Sequence, residues 1–167
     1  MKTYDSTQTL QGVITKQGLV VMLLGLIGGF GWTFALLGEV RLSPIPITFM
    51  ESFPGDPARW RSVHIGGLLN GIMAIAFAAI LNLFSLTDKK RKFILYSLIL
   101  TIWGNMTFYI CNLFSPNRSL SFGDNALGEA NLFGAMGYVL ALAAAVALIA
   151  LVILLLRTPL RGREPKS

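Results

Sequence analysis

Cysteine and histidine each occur once in this 167-residue chain, as Cys111 and His64. One cysteine excludes an intrachain disulfide, a CxxC redox pair and a cysteine-rich metal site, and in the middle of an apolar run it reads as a small buried hydrophobe. One histidine excludes a bis-histidine metal site within a single chain. Charge is also scarce. Only 13% of the residues are Asp, Glu, Lys or Arg, and none of these falls within 18–38, 62–84, 93–117 or 130–156. The windows therefore lack the buried carboxylate with which coupled transporters generally work. There is no glycine-rich phosphate loop, Ser-His-Asp set or HExxH pattern, and no internal repeat or low-complexity segment.

What is present is apolar. Hydrophobic residues make up 54% of the chain and the mean hydropathy is +0.65. Each uncharged window is long enough to cross a hydrocarbon core of about 30 Å. The expected fold is therefore all-α, one integral membrane domain over 1–167 with four transmembrane helices at about 18–38, 62–84, 93–114 and 131–156. The first window exceeds the apolar core of a secretion signal and is followed by no A-x-A pattern, so it counts as the first helix. Residues 1–17 read as a polar, amphipathic or disordered lead-in. Ten cations lie in the N-terminal segment, the 85–92 loop and the tail, including Lys89, Lys90, Arg91, Lys92 and Arg157, whereas the other two loops hold Arg41, Arg59, Arg61 and Arg118. This asymmetry puts both termini in the cytoplasm. It also accounts for the net charge of +6 without nucleic acid as a partner.

Chemistry concentrates in two places. In 101–118, TIWGNMTFYICNLFSPNR, the residues Thr101, Asn105, Tyr109 and Asn112 are spaced to share one face of a helix. Uncompensated amides and hydroxyls in hydrocarbon cost several kcal/mol each, so four on one face call for a cavity, ligand or partner. His64 opens the second window, followed on its own face by Gly67, Gly71, Ala74 and Ala78, a surface with little side-chain volume. Imidazole is a good axial ligand for haem iron, and a porphyrin standing against a helix needs such a cleared face. Asn70 lies about 120° round the helix from His64 and must reach another edge of the cavity or another helix. Gly25, Gly28, Gly29 and Gly31 in the first window read as helix packing. The prolines at 44, 46, 54 and 57 make the 39–61 loop extended and rigid, with Trp60 closing it at the interface. Arg118 reads either as an interfacial cation or as a partner for an anionic group.

Four blocks then carry a resemblance: HIGGLLNG at His64–Gly71, WGNMTFY at Trp103–Tyr109, FSPNR at Phe114–Arg118 and FGDNALG at Phe122–Gly128. With these the chain resembles the styrene oxide isomerases, small membrane enzymes of bacterial styrene degradation, most strongly from Trp60 to about Phe133. The resemblance implies a homotrimer in the bacterial inner membrane, with ferric haem b held between subunits by His64. It further implies that a small apolar aryl epoxide is converted to the aldehyde, with Asn70 and Tyr109 as the catalytic pair that orients it. Gly67, Gly71 and Arg118 are the further residues expected beside the haem, and Asn105, Trp103 and Asn112 those expected along the substrate pocket. Asp124, Ala126, Cys111 and Asn112 depart from the family's pattern at positions able to shape that pocket. A four-helix transporter subunit and a b-type cytochrome subunit remain as alternatives.

Overall fold

The computed structural model describes residues 7–42, 44, 45 and 47–162; Lys2, Pro46, Arg163 and Lys166 lie outside them. Four helices form the bundle: α1 (Thr7–Leu37), α2 (Pro57–Ile80), α3 (Asp88–Leu113) and α4 (Leu132–Leu156). A two-stranded antiparallel ribbon, β1 (Val40–Arg41) with β2 (Thr48–Met50), sits between α1 and α2. All four helices are long and apolar enough to cross a membrane.

The apolar windows locate the helices but understate three of their starts. α1 begins at Thr7, because Leu10 and Ile14 stand one turn apart and are 1% exposed in the core. Gln11 in the same turn donates to the carbonyl of Ala78 at 2.7 Å. The lead-in from residue 7 is thus helical. α2 begins at Pro57, where Asp56 accepts from the Ala58 amide as N-cap and Pro57 supplies the fixed φ of a first helical residue. The last part of the proline-rich loop is therefore helix. α3 begins at Asp88 behind Thr87, whose side chain accepts from the Lys90 amide, so the basic cluster is the first turn of a helix. α4 starts after Asn131, which caps it through the Gly134 amide.

Packing is closest between α1 and α2 and next between α3 and α4. Glycine makes the first contact possible. A Cβ on Gly67 would lie 2.6 Å from the Gly25 Cα, and one on Gly18 would lie 2.9 Å from the Gly71 carbonyl oxygen. Backbones at this distance gain dispersion and carry no side-chain entropy cost. The face cleared by Gly67, Gly71, Ala74 and Ala78 is therefore filled by α1. This corrects the expectation that Gly67 and Gly71 open a face for a porphyrin.

Both ends of the described chain lie at one end of the bundle. The Ser85 amide donates to Pro159 O at 3.0 Å and the Arg161 amide to Leu83 O at 2.8 Å. The ribbon, the start of α2 and the 114–131 loop lie at the other end.

Candidate functional site

His64 sits about two turns into α2, with its ring turned toward α1. Its Nδ1 is 2.9 Å from the Gly25 carbonyl oxygen; a carbonyl only accepts, so Nδ1 carries the proton and donates. That bond fixes the tautomer and leaves the Nε2 lone pair without a hydrogen-bond partner among the described residues, the form in which a histidine binds metal. Gly29 lets the ring approach, since a Cβ there would lie 2.8 Å from Nδ1. The Trp32 ring stands 5.8 Å from the imidazole, centroid to centroid. Neither Gly29 nor Trp32 can be assigned to His64 from local spacing, because both depend on the register of α1 against α2.

Asn70 is buried on another side of α2, facing α3. Its Oδ1 accepts from Asn105 Nδ2 at 2.8 Å, and its Nδ2 donates to the Gly66 carbonyl at 2.8 Å and, at a longer 3.4 Å, to the Tyr109 hydroxyl oxygen. The Tyr109 ring packs against Gly66, where any side chain would collide with it. Asn105 thus orients Asn70, and Asn70 occupies a lone pair of the Tyr109 oxygen. The hydroxyl proton of Tyr109 has no acceptor among the described residues and is free to donate to a bound oxygen.

The remaining polar residues of α3 disperse. Thr101 donates to Ser97 O at 2.7 Å and Ala144 O at 3.3 Å, and belongs to the contact with α4. Trp103 donates to Gln17 Oε1 on α1 at 2.9 Å, a deeper level than the Asn70 cluster. Asn112 is 8% exposed and its Oδ1 has no partner among the described residues. The polar face of α3 therefore divides: Thr101 turns to α4, Asn105 and Tyr109 meet Asn70 on α2, and the Asn112 side-chain oxygen joins neither.

At the loop end two arginines that local spacing does not pair share Asp56. Arg59 Nη1 donates to Asn112 O, a carbonyl in the last turn of α3, at 3.0 Å and to Ser115 O, just beyond the helix, at 2.8 Å. Its Nε lies 3.8 Å from Asp56 Oδ2, and Arg118 Nη2 lies 3.6 Å from the same oxygen. Arg118 thus has an anionic partner inside the chain. The FSPNR segment is a buried polar knot: Ser115 donates to Asn117 Oδ1 at 2.6 Å, and Asn117 Nδ2 donates to Ser121 O and Gly123 O. Arg118 and Ser119 both adopt left-handed backbone, φ 57° and 55°, a conformation costly for residues with a Cβ and held here by those bonds. Asn125, in the FGDNALG block, closes the knot by donating to Asn117 O at 3.0 Å.

The family model described as Styrene oxide isomerase matches residues 10–160. The chain belongs to the styrene oxide isomerase family. Membership makes it an isomerase. A curated relative, the styrene-oxide isomerase of Pseudomonas fluorescens, is 36% identical over 116 residues, covering 70% of this chain and 68% of the relative. Of the four family blocks, HIGGLLNG and WGNMTFY meet across the α2–α3 contact through Gly66, Asn70, Asn105 and Tyr109. FSPNR and FGDNALG fold together into the knot that ends α3 and starts α4. The first pair of blocks forms the candidate site and the second pair its scaffold.

Proposed function

We propose that this chain converts an aryl epoxide such as styrene oxide to the corresponding aldehyde, phenylacetaldehyde in that case, with haem b held by His64. The observation that carries the reading is the polar set Asn70, Asn105 and Tyr109, built from two family blocks inside an apolar bundle and leaving one phenolic proton free. His64 fits a haem ligand, because the Gly25 carbonyl fixes its tautomer and Nε2 is left to coordinate. The glycines at 67 and 71 do not take part in a cradle, and Arg118 already faces Asp56.

Haem b bound at His64 would supply a ferric Lewis acid that withdraws electron density from the epoxide oxygen. The chain's own residues do the rest. Tyr109 donates its hydroxyl proton in a hydrogen bond to that oxygen, and Asn70, oriented by Asn105, keeps the phenol turned outward. The benzylic carbon–oxygen bond opens, a hydride migrates from the adjacent carbon to the benzylic carbon, and the carbonyl forms. No atom enters or leaves and no reductant is consumed. Water would trap the benzylic cation as a diol, so an apolar bundle that excludes it favours the aldehyde.

His64 faces α1 and Asn70 faces α3, on different sides of α2. One small ligand does not touch both within a single chain, which supports a site completed by a second copy and hence an oligomer, taken here as a homotrimer. The proposed location is the bacterial inner membrane, in keeping with the family resemblance, and the distribution of cations supports cytoplasmic termini. A visible absorption spectrum of the purified protein tests the cofactor. A Soret band that disappears in His64→Ala is expected; a His64→Ala protein with full haem content would overturn the assignment, since the chain has no second histidine.

A further inference from the structure

At the end of the bundle where α1 starts and α4 ends, the first turn of α3 and the last turn of α4 flank a cavity of about 450 Å³ lined by Lys89, Lys90, Phe93, Ile153, Leu154 and Arg157. Phe93 and Ala150 also line the next cavity, of about 680 Å³, whose walls include Tyr96, Leu100, Val139 and Ala147. The two are one groove between α3 and α4, apolar along its length and cationic at its end. From Ala150 to Val139 it runs eleven residues of helix, about 16 Å at 1.5 Å per residue. That is close to the depth of one leaflet, half of a hydrocarbon core of about 30 Å.

The charge at its mouth is not balanced from within the described chain. Lys90 Nζ donates to the neutral Thr158 hydroxyl at 3.1 Å. Asp88, the acidic residue nearest in sequence, is paired with Arg91. No ion pair is formed by Lys89, Lys90 or Arg157 among the described residues. Lys89 and Lys90 also stand in the first turn of a helix, where the macrodipole is positive and disfavours cations. An anion seated between them would relieve both the mutual repulsion and the dipole.

We propose that this groove is a binding site for an anionic phospholipid, its phosphate held between Lys89, Lys90 and Arg157 and one acyl chain lying along Phe93, Tyr96, Ala147 and Leu100. Charge complementarity selects the headgroup, and the leaflet-length apolar trough below it selects a lipid over a soluble phosphate. The site lies on the α3–α4 side of the bundle, away from His64, and stands independently of the reaction proposed above.

The test is native mass spectrometry of the full chain in detergent, supplied with phosphatidylglycerol or with phosphatidylcholine of the same acyl chains. Phosphatidylglycerol should be retained in preference, and the preference should fall about fivefold for each cation removed in Lys89→Gln and Arg157→Gln. Ala147→Trp, which fills the trough and leaves the cations in place, should reduce retention of both lipids. Inorganic phosphate should fail to displace the bound lipid. Equal retention of the two lipids by the unaltered chain, or unchanged retention in the Lys89→Gln, Arg157→Gln double variant, would overturn the proposal. So would cross-linking that finds Val146 and Ala150 covered by a second copy of the chain.

Discussion

The free proton of Tyr109 depends on two amides, and substitutions at the three residues should separate their parts. Tyr109→Phe keeps the ring on Gly66 and removes only the hydroxyl. It should leave haem content and melting temperature unchanged and lower turnover about a hundredfold, the scale of losing one donor to developing negative charge. Unchanged turnover would confine the hydroxyl to packing. Asn105→Leu leaves the buried Asn70 Oδ1 without its donor, at a cost of about 1–3 kcal/mol. Thermal unfolding should register that loss, and turnover should fall because Asn70 is no longer held. At this scale the sequence was informative about residue types and less so about partners. The spacing of Asn105 and Tyr109 is visible in the chain, but whether Thr101, Trp103 and Asn112 join them depends on how α3 is rotated among its neighbours, which no local spacing contains. Gly66 illustrates the same limit: only the position of the Tyr109 ring distinguishes its role from that of Gly67, which meets α1.

The helices themselves were legible because length and lack of charge suffice to define a membrane span. Their starts were not, for a physical reason. Caps and charged first turns lie outside the hydrocarbon, so a search for uncharged windows stops short of Thr7, Pro57 and Asp88. The ends of α2 and α3 are also joined by a residue whose partners are remote in sequence. Arg59 is a largely buried guanidinium holding one carbonyl in the last turn of α3 and one just beyond it, whereas Arg118 is 44% exposed in a single ion pair. Arg59→Gln should therefore lower stability by about 2 kcal/mol or more, because the carbonyls lose charge-assisted bonds. Arg118→Gln should cost less than about 1 kcal/mol, as exposed pairs do. Thermal melts of the two variants in one detergent compare them directly, and an equal or reversed order would contradict the assignment of Arg59 as the clasp between α2 and α3.

As a whole the bundle has two unlike ends, one with the start of α1, the end of α4 and the basic first turn of α3, the other with the ribbon and the FSPNR knot. In the proposed topology, read from the charge asymmetry, the first end faces the cytoplasm. In a Cys111→Ala background, Ser85→Cys should react with an impermeant thiol reagent only from the cytoplasmic side and Phe122→Cys only from the opposite side; the inverse pattern would reverse the topology. The division of His64 and Asn70 between two sides of α2 was present in the sequence as an angle. That the two side chains meet different neighbours, His64 on α1 and Asn70 on α3, required those helices to be in place. The proposed reaction is tested most directly by the product formed when styrene oxide is added to the purified, haem-loaded protein and followed by gas chromatography. The account predicts phenylacetaldehyde without added reductant and without diol, and none from His64→Ala. Formation of diol, or of aldehyde at an undiminished rate by His64→Ala, would contradict it.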